Sequence, residues 1–337
     1  MRIDLYCAGS LISRWSLLAE VSYLVYYPEL LTVVGPTACG KTALGVALAE
    51  ELHGAILSGD SRQVFVGMDI GTGKDLDAYT TERGSIPHYL IDIVPAGHPF
   101  NLFEYVRLFD EAYHEVVSQQ LQPIFVGGSG LYVEQVLQTK PMHQVPPDAA
   151  LRQELEQLSL ADLRAILSRY PRIEHVDPSS ARKCIRAIEV ARHYAQHPEQ
   201  YQAYREALRK AKQQKPPLII GLRLARQEII RRIDQRLQSR LEEGMVAEVE
   251  RLLDEQVPAD TLIAYGLEYR FITLYLQGKL SYSEMEEQLA TAIHQFAKRQ
   301  MTWFRGMTRR GLPIHWIDGH QPVTYQRDRV LRLLKDS

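Results

Sequence analysis

The chain predicts an α/β fold: a parallel sheet covered by helices, with an inserted helical domain. Three observations carry this. Short apolar runs alternate with helical patterns through the first 140 residues, and such alternation builds a parallel sheet with both faces covered. The pattern breaks between two proline-marked boundaries, Pro141 with Pro146 and Pro147, then Pro216 with Pro217, and a strand pattern resumes at Leu218. Residues 35–42 read Gly-Pro-Thr-Ala-Cys-Gly-Lys-Thr, a complete G-x-x-x-x-G-K-[ST] loop between an apolar run and a helix. With Gly near ~7% of residues, a match this long arises by chance in on the order of one chain per hundred. The loop makes the predicted sheet P-loop NTPase-like.

The elements follow in order. Leu30–Val34 reads as a buried strand and Ala43–Leu52 as a helix, with Leu44, Ala47 and Leu48 on one face and Gly54 as its stop. In that setting backbone N–H groups converge on a phosphate at a helix N-terminus. Gly35 and Gly40 permit the tight turn, and Pro36, Thr37, Ala38 and Cys39 complete it. Lys41 reaches a terminal phosphate, and the Thr42 hydroxyl is the candidate Mg²⁺ ligand. Ala55–Ser58 is a second strand running into Gly59, Asp60 and Ser61, and Tyr89–Val94 a third. Asn101 opens a helix with Glu104 at capping-box spacing, and Leu102, Tyr105, Val106, Phe109 and Tyr113 recur on one face. Pro123–Val126 is a fourth strand, closed by Gly127-Gly128-Ser129-Gly130.

Beyond it, Leu151, Leu155 and Leu158, then Ile185, Ile188, Val190 and Ala191, mark helices. Leu218–Leu224 returns to the sheet. Ile229, Ile233, Leu237 and Leu241 form one stripe of a long helix, and Arg232, Arg236 and Arg240 lie along another. Helices continue to about Arg305, and Ile314–Ile317 is a last strand. The domain reading is an N-terminal extension over 1–28, a core over 29–140 and 216–320, a helical insertion over 141–215 and a C-terminal tail over 321–337.

Composition narrows the setting. Hydrophobic content of 45% supports a real core, and a net charge of −2 announces no overall affinity for nucleic acid. Cys7, Cys39 and Cys184 have no spacing suited to zinc or a disulfide framework, so a reducing, cytoplasmic setting is expected. Arg14, Glu20, Pro28 and Glu29 interrupt the apolar N-terminal stretch, which excludes a membrane span there. The eleven histidines show no metal spacing. Charge is uneven, however. Arg182 to Lys215 holds nine Lys/Arg against three acids, with Tyr194, Tyr201 and Tyr204 interleaved. A solvated helix face and a patch tracking a nucleic-acid backbone both explain this. Lys298, Arg299 and Arg305 surround Trp303 and Phe304 in a second cluster.

A phosphate loop needs partners before it does chemistry. Asp60 follows the second strand, and in such sheets the strand C-termini face the ligand crevice. It is a candidate general base or metal-shell acid, with Asp92 as the competing acid. Ser129 fails the G-x-S-x-G nucleophile pattern, because Leu131 stands at the final position. Gly128 and Gly130 read as letting backbone approach a ligand.

Six segments together resemble the tRNA dimethylallyltransferase family, in its bacterial form without a zinc finger. They are the loop at 35–42, Ser-Gly-Asp-Ser-Arg-Gln-Val-Phe-Val-Gly-Met-Asp-Ile-Gly-Thr-Gly-Lys (58–74), His-Tyr-Leu-Ile-Asp (88–92), Pro-Ile-Phe-Val-Gly-Gly-Ser-Gly-Leu-Tyr (123–132), Arg-Ala-Ile-Glu (186–189) and Ala-Lys-Arg-Gln-Met-Thr-Trp-Phe-Arg (297–305). The resemblance covers about residues 30–318. It implies transfer of a dimethylallyl group from dimethylallyl diphosphate to N6 of the adenosine 3′ of the anticodon, with Mg²⁺ and release of diphosphate. By the resemblance, Lys41, Thr37, Thr42 and Arg226 stabilise the diphosphate and Asp60 accepts the N6 proton. Ser129 stands where the family has threonine and orients N6. Ser61, Arg62, Gln63, Arg152, Arg182, Lys183, Arg186, Lys298, Arg299, Gln300, Trp303 and Arg305 meet the tRNA anticodon stem-loop. A monomer without membrane attachment is expected.

Departures are visible. Gly59, Gly73 and Asp75 replace other residue types, the Asn-Asp before the Arg-Ala-x-Glu region is missing, and the Gly-Tyr-Lys-Glu-like segment reads Tyr265-Gly266-Leu267-Glu268. The rival reading is a prenyltransferase acting on free AMP, ADP or ATP, which shares the loop and base without needing the basic insertion.

Overall fold

The computed structural model describes residues 27–137, 143, 145–170, 179–211 and 217–336. Its strands are β1 Leu31–Val34, β2 Gly54–Ser58, β3 Phe65–Val66, β4 Thr80–Thr81, β5 Gly84–Ser85, β6 His88–Tyr89, β7 Val94–Pro95, β8 Gln122–Gly127, β9 Ile219–Arg223 and β10 His315–Asp318. The helices are α1 Lys41–Leu52, α2 Leu102–Ser118, α3 Gly130–Leu137, α4 Ala149–Leu155, α5 Leu160–Leu167, α6 Ala181–Gln196, α7 Pro198–Ala211, α8 Arg226–Glu242, α9 Met245–Asp254, α10 Ala259–Tyr265, α11 Leu267–Leu276, α12 Tyr282–Arg309 and α13 Val323–Lys335. Among the described residues, no helix is long and apolar enough to cross a membrane.

Six strands form one parallel sheet in the order β10-β9-β1-β8-β2-β6. Every residue of β1 and β2 is buried, as parallel strands between two helical layers require. That is why these strands read as apolar runs without alternation. β1 lies at the centre, with Thr32 opposite Phe125 of β8 on one side and Ile219 of β9 on the other. The chain thus rejoins the sheet beside its first strand, after α4–α7. Asn101 caps α2, its Oδ1 accepting from the N–H groups of Phe103 and Glu104 at 2.9 and 3.1 Å.

Four expectations need correction. The third strand holds only His88 and Tyr89, because Leu90 and Asp92 adopt φ of +66° and +55° and break the extension. Val94–Pro95 pairs instead with Phe65–Val66 in a separate ribbon. The first helix stops at His53, which takes the left-handed conformation, while Gly54 already belongs to β2. The core starts before residue 29: Tyr27 is buried, its ring 4.5 Å from that of Tyr113 and 5.1 Å from that of Phe109. The rest of the predicted extension lies outside the described residues. Nor is the C-terminus a tail. Val330 of α13 is fully buried in the core cluster that holds Leu44, Leu48 and Ile317, and Arg327 reaches Glu51 at 3.6 Å.

Contacts divide the chain into two units, one holding the sheet with α1–α3 and α8–α13, the other α4–α7. In the second unit, Leu151, Leu155, Leu163, Cys184, Ile185 and Ile188 form a core. Glu189 of α6 is 2% exposed. Arg152 donates to both its carboxylate oxygens at 2.7 and 2.9 Å, Arg186 adds a bond of 2.8 Å, and the Asp148 N–H another of 2.8 Å.

In the sheet unit, Glu248 of α9 fixes the segment after β3. Its carboxylate accepts from the N–H groups of Asp69, Ile70 and Gly71 at 2.7, 2.8 and 3.0 Å, and from the Tyr269 hydroxyl at 2.8 Å. Burial, then the Glu248 charge, pushes the Tyr269 pKa far up, so this hydroxyl stays a donor. Lys74, 1% exposed, closes the same segment by donating to the Phe65 carbonyl at 2.8 Å, to Asp69 at 2.6 Å and to Asp92.

Two outcomes are expected. Burial raises the pKa of the Glu189 carboxyl, but Arg152, Arg186 and the Asp148 N–H lower it by more, leaving it below the ordinary 4.5. Such a group stabilises the fold above its unfolded pKa, and the contribution is lost as pH falls through the folded value. Glu189→Gln should therefore cost about 3 kcal/mol near pH ~7. Chemical denaturation at a series of pH values should show that deficit shrinking once the pH drops below 4.5; a pH-independent deficit contradicts the account. Glu248→Ala leaves three backbone donors and a hydroxyl without their acceptor and should cost about 3–5 kcal/mol, with faster amide exchange at 69–71. Unchanged exchange there would mean that the segment orders itself.

Candidate active site

Parallel pairing brings the C-terminal ends of β1, β2 and β8 to one edge of the sheet. Their loops, 35–42, 59–63 and 127–130, therefore share a crevice. A cleft of about 620 Å³ opens there, and Lys41, Thr42, Asp60, Ser129, Arg236 and Trp303 are among its walls.

One end is built for phosphate. Gly40 caps α1 at φ +95° with no side-chain cap hydrogen bond, a conformation that glycine tolerates. The first N–H groups of the helix are left for an anion. Lys41 Nζ donates to the Pro36 carbonyl at 2.8 Å, folded along its own loop. Thr37 is held twice: its N–H donates to Gln300 Oε1 at 2.8 Å, and its hydroxyl accepts from the Arg236 guanidinium. Burial, then the like charge of Arg240, pushes the Arg236 pKa down to about 10, which still leaves it cationic at neutral pH. Cys39 is buried under the loop. Glu268 also lines the cleft; burial raises its carboxyl pKa, opposed by Arg236 and Arg240.

Arg226 is not part of this end. It is the exposed first residue of α8 and is absent from the cleft wall. Arg236, almost three turns further along, is the arginine of α8 that reaches the phosphate loop, through Thr37. The arginine stripe of α8 was visible in sequence, but not which members face inward. Arg232 points to Glu228 at 2.6 Å, while Arg236 and Arg240 face the cleft.

The other end carries a carboxylate and a hydroxyl. Ser58 of β2 pairs with Val126 of β8, so Asp60 and Ser129 leave adjacent strand ends. The Arg62 N–H donates to Asp60 Oδ1 at 2.8 Å, and the Ser61 N–H points at Ser129 Oγ at 3.4 Å. Beneath them the buried Tyr105 hydroxyl donates to the Ser58 carbonyl at 2.7 Å. Arg62 donates to the Ala264 carbonyl at 3.1 Å and sits 5.5 Å from the centre of the Tyr265 ring, its pKa lowered by burial. Trp303 is 40% exposed at the cleft wall, with Phe296 and Leu131, and Arg299 lies 6.0 Å from the Phe296 ring centre.

Two glutamines expected to face RNA have other work. Gln63 accepts from the Ser58 hydroxyl at 2.8 Å and donates to the Gly73 carbonyl at 2.9 Å. Gln300 is buried; besides accepting from Thr37, it donates to the Gly128 carbonyl at 2.8 Å. A side chain at Gly128 would strike Gln300, and one at Gly130 would strike the Trp303 indole. Those glycines make room for α12 and also line the cleft.

The remaining expected residues lie elsewhere. Asp92 takes Lys74 and does not line the cleft, which removes it as the competing acid. Lys298 and Arg305 are exposed on α12, outside the cleft wall. Arg182 and Lys183 are exposed on the first turn of α6 in the second unit, whereas Arg152 and Arg186 neutralise Glu189. Among the described residues, no group of three or more His, Cys, Asp or Glu could hold a metal ion.

Comparison with known proteins identifies the family. The IPP transferase family matches residues 63–307. A tRNA dimethylallyltransferase 1 of Porphyromonas gingivalis is 48% identical over 308 residues, 90% of this chain and 98% of that protein. The crystal structure of a tRNA isopentenylpyrophosphate transferase from Bacillus halodurans superposes with a TM-score of 0.65 at 29% identity, over 92% of this chain and 96% of that one. One from Staphylococcus epidermidis does so with a TM-score of 0.63 at 27% identity, over 91% and 98%. The chain belongs to the IPP transferase family.

Proposed function

We propose that this chain transfers a dimethylallyl group from dimethylallyl diphosphate to N6 of the adenosine 3′ of the anticodon in tRNA. One observation carries the reading: a single cleft holds a phosphate loop at one end and an open carboxylate beside a hydroxyl at the other. The names of the relatives favour tRNA over free adenine nucleotides as the acceptor.

The N6 lone pair attacks the allylic carbon, the bond from that carbon to the diphosphate oxygen breaks, and the electron pair leaves with diphosphate. Asp60 accepts the proton from N6. Ser129 Oγ orients the amine. The α1 N–H groups, Lys41 and Arg236 receive the charge that builds on the leaving oxygen. Arg236 takes the role that Arg226 held on sequence grounds. The donor set suits Mg²⁺ carried by the substrate: Thr42 offers one hard hydroxyl oxygen in the cleft wall, and the diphosphate supplies others. When bound, the ion supplies charge neutralisation for the leaving diphosphate. Ser61, Arg62, Arg299 and Trp303 at the cleft, with Arg182 and Lys183 on α6, are the residues proposed to meet the anticodon stem-loop. Gln63 and Gln300 are left out, their amides being bound to protein. So are Arg152 and Arg186, bound to Glu189.

Asn at 60 keeps the shape but takes no proton. Asp60→Asn should lower kcat by about 10²–10⁴-fold while the Kd values for tRNA and donor stay within a few-fold. Lys41→Ala should instead weaken donor binding. Steady-state kinetics with calorimetry separates the two. Near-normal kcat in Asp60→Asn, or a shift only in Mg²⁺ dependence, would move the base elsewhere.

A further inference from the structure

Arg240 has no role so far. It lines the cleft, is 7% exposed and lies one turn beyond Arg236 on α8. A buried guanidinium is costly unless it is paired and hydrogen-bonded. Its ion pair among the described residues is with Asp75 Oδ1 at 3.6 Å, beyond hydrogen-bonding distance. The Asp75 side chain is itself 60% exposed, so solvent screens the pair and it stabilises little. Arg236 next to it is bonded to a neutral hydroxyl. Glu268 lies in the same cleft wall and interacts electrostatically with both arginines; burial raises its carboxyl pKa, and Arg236 and Arg240 oppose that shift. Two cations thus face the cleft, and among the described residues neither is hydrogen-bonded to a carboxylate.

The backbone is shaped around Arg240. Gly73 sits at φ +63°, and a Cβ there would lie 1.8 Å from Arg240 Nη2. Only glycine leaves the guanidinium its place. Gly73 is in turn tied through Gln63 to Ser58, at the end of the strand that carries Asp60.

We propose that Arg240 is a second anion-binding residue of the donor site, gripping the diphosphate beside Arg236, with Asp75 as the competing partner that the diphosphate displaces. The inference rests on the donor reading above. The bland alternative makes Arg240 a strut that holds residues 73–75 through Asp75.

The two differ in sign at Asp75. Inorganic diphosphate with Mg²⁺ is titrated calorimetrically into the full chain and its variants. Arg240→Gln should weaken binding by about 10- to 100-fold, the range of a charge-assisted hydrogen bond. Arg240→Lys should recover part of it. Asp75→Asn should leave binding unchanged or tighten it, because a competitor is lost. If Asp75→Asn weakens binding as Arg240→Gln does, Arg240 is a strut and the inference fails. If Arg240→Gln binds like the unaltered chain, it fails as well. Should Arg240→Gln not fold, Arg240→Lys and the exposed Asp75→Asn still decide. No binding to the unaltered chain would overturn the donor reading and this inference with it. Binding to the unaltered chain without the Arg240 effect overturns this inference alone.

Discussion

The Gln300 carboxamide is the contact on which the cleft depends. Buried between two loops, it accepts from the Thr37 N–H and donates to the Gly128 carbonyl, each at 2.8 Å. One loop belongs to the phosphate end and the other leads to Ser129. A 28-residue helix, α12, carries this amide, so the spacing between the two ends is set by a rigid element and not by loop packing. Proximity of donor and acceptor is a large part of what such a site contributes to rate. An ester or an acid at position 300 would break one of the two bonds and leave a buried backbone group without a partner.

The same logic recurs one layer out. Glu248 and Lys74 fix the segment after β3 to α9 and to the Asp92 turn. Gln63 then connects that segment to β2 through Ser58. The carboxylate at Asp60 thus stands on a strand end braced from both sides, and the Tyr105 hydroxyl holds the Ser58 carbonyl from below. Charged groups in this shell are satisfied by backbone groups, by each other and by the Tyr269 hydroxyl. Those facing the cleft, Lys41, Arg236 and Arg240, are hydrogen-bonded to no carboxylate among the described residues.

Which parts were legible in the sequence follows from the kind of signal each leaves. Buried parallel strands leave apolar runs, so β1, β2, β8 and β9 were readable, and a strand C-terminus pointed to Asp60; Ser129 was named by the family resemblance alone. The protein hydrogen bonds of Gln63 and Gln300 were not legible, because an amide has the same letter whether it binds a base or a backbone carbonyl. Arg226 was named by the resemblance, and the structure leaves it exposed outside the cleft wall. Along α8 the arginines recur with helical spacing, and only the packing of Ile233 and Leu237 into the protein settles which of them face the cleft. Asp92 was placed inside a strand over Tyr89–Val94, but the strand stops at Tyr89, where a left-handed Leu90 breaks it. The C-terminal helix escaped notice because Val330, Leu333 and Leu334 are few among charged neighbours and find their core only across α1.

The central claim is that the two ends of the cleft join a prenyl donor to an adenosine within RNA. Its most direct test offers the unaltered chain labelled dimethylallyl diphosphate with Mg²⁺, in parallel with total tRNA and with AMP, followed by nucleoside analysis of the products. The account predicts label on N6 of adenosine recovered from tRNA, with diphosphate released in equal amount and little label on AMP. Label confined to AMP, or no transfer to either acceptor, would contradict it.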